Sequence, residues 1–226
     1  MDLRALAVGL LLAFTPVSAA AETAREILTT AAFSPSDKAT ALARIDRAIK
    51  SAEAVLAHDP NDREAHLQRA LAISYRGKLT RSRSDLLVAR RGFETAVAAD
   101  PRSAEAQMAL AGWHLGAVIE LGSFMARTLL GARKDTGLQA LDRSLALGGD
   151  RAFFPAVASL HRIQLDPGDV AGTRRLAETA VKARADTPID RLMQKQAAIL
   201  LESLRKGDGK AAAKIAKLLL PFGRLR

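Results

Sequence analysis

EAVLAHDPNDREAHLQRALAIS (residues 53–74) and ETAVAADPRSAEAQMALAGWHL (residues 94–115) are two versions of one pattern. Each runs from a helix end through Asp-Pro and a two-residue turn into a new helix. Proline disfavours helical geometry in the residue before it, so Asp59-Pro60 and Asp100-Pro101 are helix stops. Asp62 and Ser103 then stand where a side-chain oxygen can cap the helix that follows. A third version, RSLALGGDRAFFPAVASLHR (residues 143–162), has Gly-Gly in place of Asp-Pro. Self-similar helix pairs cannot bury an apolar face alone, and stacking is what covers it.

The pattern extends outward in both directions. Ser34-Pro35-Ser36-Asp37 reads as a helix start, with Ser34 as cap and Asp37 completing a capping-box-like pair. The helix expected over about 37–58 carries Ala41, Ile45, Ala48, Ile49, Ala52, Val55 and Leu56 on one stripe. Further helices are expected at about 63–77, 85–99 and 104–121, then around Leu138, Leu141 and Leu145 up to Gly148-Gly149. Four more are expected near 152–164, 170–185, 189–206 and 209–220. No alternating strand pattern of useful length occurs. With 4% aromatic residues and a predominance of Ala, Leu and Arg, the 226-residue chain is predicted to be all-α. The expected architecture is an α-solenoid of three to five stacked helix hairpins, with residues 22–36 as an N-terminal extension, 37–150 as the repeats, and 151–226 completing and capping the array.

These arrangements resemble the tetratricopeptide repeat family. Ala89, Phe93, Ala96 and Pro101 match, in order, the small, aromatic, small and closing-proline positions of that family's second helix. Ala48 and Pro60 match in the copy before, and Gly207-Asp208 matches the family's turn. The family period is about 34 residues. Here Pro60 to Pro101 is 41 residues and Pro101 to Gly149 is 48, so the excess is placed in longer helices or inserted turns at 76–84 and 122–137. The resemblance implies a right-handed superhelix whose concave groove binds a protein or peptide partner.

Residues 1–21, MDLRALAVGLLLAFTPVSAAA, have a charged start, the apolar run Ala5–Phe14 and a small-residue end. That is the layout of a cleavable secretory signal peptide, so a periplasmic location is expected. The absence of cysteine excludes disulfides, thiolate ligands and a thiol nucleophile.

Little in the chain points to catalysis. The four histidines, His58, His66, His114 and His161, include no pair at i, i+3 or i+4, and no phosphate-binding or dinucleotide loop occurs. The chain is therefore read as a non-enzyme without cofactor or metal. Gly112-Trp113-His114 holds the only tryptophan. Either Trp113 and His114 fill the core, or together with Tyr75 they line a pocket. In the second case the protein would be a small-molecule binding or transport accessory. The segment 122–136 is either an elongated helical arm packed on its neighbours or an element facing a partner.

The formal charge is +10 and unevenly placed. Residues 76–91 hold six cations against one carboxylate, and residues 205–226 hold seven against one. Arg81 and Arg83 in the first run are candidates for holding an acidic ligand or partner. An exported chain without interleaved aromatics is not expected to bind nucleic acid. The terminal helix, with Lys210, Lys214 and Lys217 opposite Ala211, Ile215, Leu218 and Leu219, either caps the array or lies on an anionic membrane surface.

Overall fold

The computed structural model describes residues 22–34 and 37–225, and the segment 1–21 and the Pro35-Ser36 pair lie outside them. The described residues form ten helices. In chain order these are α1 (Ala24–Phe33), α2 (Lys38–His58), α3 (Arg63–Thr80), α4 (Arg83–Ala99), α5 (Ala104–Leu130), α6 (Lys134–Leu147), α7 (Phe153–Leu165), α8 (Val170–Lys182), α9 (Pro188–Arg205) and α10 (Gly209–Leu219). The protein is thus all-α, and its helices pack successively in a repeat-like arrangement. Consecutive helices pair into five hairpins, and the first helices of successive hairpins (α1, α3, α5, α7 and α9) also touch one another in order.

Local chemistry explains most boundaries. Asp62, Ser82, Ser103 and Asp208 accept hydrogen bonds from backbone N–H groups in the first turns of their helices. Thr187 and Asp190 form a full capping box on α9. The start of α2 differs from expectation: Asp37, not Ser34, is the cap, accepting from the Thr40 N–H at 2.8 Å. The extension expected at 22–36 contains α1, opened by a capping box between Thr23 and Glu26. The long spacings come from long helices, since α3 runs on to Thr80 and α5 to Leu130.

One apolar core joins α1–α6 and reaches Phe154 and Phe222. Smaller clusters hold the last two hairpins, one around Leu160, Leu200 and Leu204, and another around Met193. Glycines permit two of the closest helix approaches. A Cβ at Gly92 would lie 2.7 Å from the Ala70 Cβ, and one at Gly137 would lie 2.5 Å from Leu115. Ala212, Ala216 and Leu219 of α10 are buried and the helix packs on α7 and α9, whereas Ala211 and Ile215 are half-buried and Leu218 is exposed. Lys210, Lys214 and Lys217 stay exposed.

Helix α5 is broken once. Gly122 sits at φ 76°, ψ 157°, a backbone region open essentially to glycine alone. It divides α5 into a stem, residues 104–121, and an arm, residues 123–130.

Candidate functional site

The candidate site lies where the segment after α10 meets α1 and α3. Beyond α10 the segment Leu220-Pro221-Phe222-Gly223-Arg224-Leu225 returns to α1 and α3. The Phe222 N–H donates to the Ala32 carbonyl at 2.8 Å. Ala32 is in the last turn of α1, where helix carbonyls lack a partner within the helix, so the tail supplies one. The Phe222 ring meets Tyr75 of α3 edge-on, with centroids 5.1 Å apart. Lys78, one turn further along α3, donates to the Pro221 carbonyl at 3.5 Å. Phe222 is buried although its backbone is left-handed, at φ 64°. Burial pushes the Tyr75 phenol above its ordinary range, so it stays a neutral hydroxyl.

Beside the tail is a concavity of about 200 Å³, bordered by Phe33, Leu192, Gln196, Ile199 and Phe222. Gln196 of α9 is buried, and its Oε1 has no hydrogen-bond partner among the described residues. A buried acceptor without a donor is costly.

A charge ladder crosses the beginnings of the first helices. Arg25 of α1 contacts Glu64 of α3 and Glu105 of α5. Arg151, just before α7, contacts Glu105 at 2.8 Å and Asp190 of α9 at 3.3 Å. The Arg151 guanidinium also lies over the Phe154 ring at 5.4 Å. Burial pulls the Glu105 carboxyl upward, but the hydrogen bonds and charges of Arg25 and Arg151 outweigh it, and the net displacement is downward. Here the charges satisfy one another. The ladder borders a second concavity, of about 300 Å³, and sets the mutual position of the helices around it.

The expected site residues separate. Tyr75 belongs to the site, but its companions are Phe222 and Lys78. Trp113 and His114 are core residues, 6% and 2% exposed, and neither concavity includes them. The Trp113 Nε1–H donates to the Leu86 carbonyl of α4 at 3.0 Å. His114 Nδ1 accepts the Arg133 backbone N–H at 3.1 Å, at the start of α6. Burial pushes the His114 imidazole down to about 4, with the nearby Arg90 charge adding to the effect, so the ring is neutral at pH 7. An accepting Nδ1 requires that same neutral form.

The basic run 76–91 is largely engaged. Arg76 pairs with Asp85 through two hydrogen bonds. Arg83 Nε and Arg90 Nη1 donate to the Leu129 and Leu130 carbonyls at the end of the arm, at 2.7 and 3.2 Å. Cations at a helix C-terminus are well placed against its dipole. Arg81 is the left-handed C-cap of α3, and its guanidinium is exposed without a partner among the described residues.

Sequence reading missed Ala32, Lys78, Gln196 and Phe222. The readable signal was Pro221-Phe222-Gly223, an aromatic in a turn directly after the last apolar helix. The described residues contain no group of three metal-ligating side chains. No protein-family model, curated protein or solved structure matches the chain.

Proposed function

We propose that the protein is an exported, non-catalytic, tetratricopeptide-like scaffold whose inner face binds an extended peptide segment of a partner protein. One observation supports this reading: the chain's own tail lies against α1 and α3, with Phe222 against Tyr75 and its N–H on the Ala32 carbonyl. These helices offer what a peptide uses, namely an aromatic contact, a helix-end carbonyl and the Lys78 donor. Export rests on the layout of residues 1–21. A small-molecule pocket is less well supported, because the concavities, of about 200 and 300 Å³, lie at or below the usual lower size for such sites.

The test uses a chain from Glu22 to Leu219 and a labelled peptide of residues 220–226 added in trans. Circular dichroism and a cooperative melt first establish that the shortened chain folds. The expected result is saturable binding in the micromolar range, weakened roughly tenfold or more when the peptide carries Phe222→Ala. A folded shortened chain that ignores the peptide would contradict the proposal. If the shortened chain does not fold, the full-length Phe222→Ala chain takes its place, and the expected and contradicting results are the same.

A further inference from the structure

The arm of α5 is bare on one side. Phe124 is 78% exposed, the most exposed large apolar residue among those described, and Met125 and Leu129 are 43% and 39% exposed. At about 100° per residue, Phe124, Thr128, Met125 and Leu129 share one arc of the helix. Ala126 and Leu130, both buried, hold the opposite side to the body of the protein. The backbone fixes this presentation. Gly122 turns the arm out of line with the stem, and Gly131, left-handed at φ 70°, closes it. The Ala132 N–H then reaches back to the Ala126 carbonyl at 3.0 Å.

Cations surround the apolar arc. Arg127 lies on the arm, Arg133 and Lys134 follow it, Arg83 touches its end, and Arg81 is two residues from Arg83. The acidic residues nearby are few. Glu94 is paired with Arg90, Glu120 with Lys78, and Asp135 stands alone. An apolar ridge with a basic rim matches an anionic lipid interface, whose headgroups meet the rim while the ridge enters the acyl boundary. A symmetric contact between two copies would set these cations against their equivalents. The ridge borders neither of the two concavities described above.

We infer that the arm, with Phe124, Met125 and Leu129 as its apolar contact and Arg81, Arg83, Arg127, Arg133 and Lys134 as its rim, docks the protein on an anionic membrane surface. This docking is independent of peptide binding on the inner face. It also differs from membrane contact through the terminal helix, where Ala212, Ala216 and Leu219 are buried in the fold and Leu218 is exposed.

Vesicle flotation tests the inference with the chain from Glu22 onward, since residues 1–21 would insert by themselves. The vesicles are phosphatidylcholine with or without about 30 mol % phosphatidylglycerol. Partitioning is expected to be roughly tenfold stronger on the anionic vesicles and to weaken as salt is raised. Phe124→Ser with Met125→Ser is expected to lower it about tenfold, without changing the melting temperature of these exposed positions. Arg127→Ser with Lys134→Ser should remove the preference for anionic vesicles. Equal partitioning by the Phe124→Ser, Met125→Ser chain would overturn the inference. So would a lack of vesicle binding, whether the ridge then mediates self-association or captures an acidic amphipathic peptide.

Discussion

The stem and the arm of α5 are built from similar residues and have opposite fates. In the stem, Leu110, Trp113, Leu115 and Val118 are covered by the core, and Trp113 is bonded to α4. In the arm, only Ala126 and Leu130 are covered, and the apolar residues opposite them face outward. Both parts are rich in apolar residues, Leu110, Trp113, Leu115 and Val118 in one and Phe124, Met125, Leu129 and Leu130 in the other, so composition does not separate them. Gly122 separates them. Beyond its turn the helix keeps one packed side, held by Ala126, Leu130 and the α4 arginines at its end, instead of an enclosed one. What an apolar helix does is decided by how many of its sides find partners, and that number is set by the chain around it.

The contrast can be broken most forcefully at Trp113. Trp113→Ala is expected to cost about 3–5 kcal/mol, because it empties core volume and leaves the Leu86 carbonyl without its indole donor. Urea unfolding measures this, and an unchanged midpoint would contradict a core role for the stem.

Acid should loosen the stem next. The fold holds His114 near 4 against an ordinary value of 6.5, so the folded state resists a proton that the unfolded chain accepts. The associated stability is fully present above about pH 6.5 and is lost as pH falls toward 4, up to about 3 kcal/mol. Burial of His161 lowers its pKa too, which acts in the same direction. His114→Asn, whose amide oxygen can still accept the Arg133 N–H, should remove the His114 part of the slope in unfolding titrations between pH 4 and 7.5. An identical slope in that variant would place the pH dependence elsewhere.

Gly122→Ala forces an L residue to φ 76° or makes the helix straighten. The expected loss is about 1–3 kcal/mol, measured by thermal unfolding. A neutral result would show that the arm's direction is not held by this residue. The smallest effect is expected in the arm, where Phe124→Ala should change stability by less than about 0.5 kcal/mol. A loss as large as that at Trp113 would mean that the arm is packed.

The helical plan was readable because its signals are local. Asp-Pro stops, Asp and Ser caps and apolar stripes act within a few residues of one another, and they located eight of the helices to within a turn or so, while α5 runs nine residues past its expected end at 121. The tenth, α1, is short, and its Thr23-Glu26 capping box passed unnoticed between the expected leader and the first strong stripe. The site was less legible. Tyr75 was singled out, but Phe222, its partner, lies 147 residues further along the chain, and nothing in local spacing joins them. The basic run 76–91 suggested an acidic ligand. Arg83 and Arg90 instead donate to carbonyls 46 and 40 positions away, at the end of the arm, a use of charge that periodicity does not record. His114 likewise stayed open between core and pocket, because its acceptor role depends on the backbone of Arg133, nineteen positions further on at the start of α6.

The central claim is that the inner face is a peptide-binding surface closed by the chain's own tail. Amide hydrogen exchange on the chain from Glu22 onward, with and without an excess of the 220–226 peptide, tests it most directly. The Phe222 amide is predicted to exchange slowly in the chain alone and quickly once the peptide displaces the tail, while the amides around Tyr75 in α3 stay protected throughout. A Phe222 amide that exchanges at the rate of an unstructured peptide before any peptide is added would contradict the account.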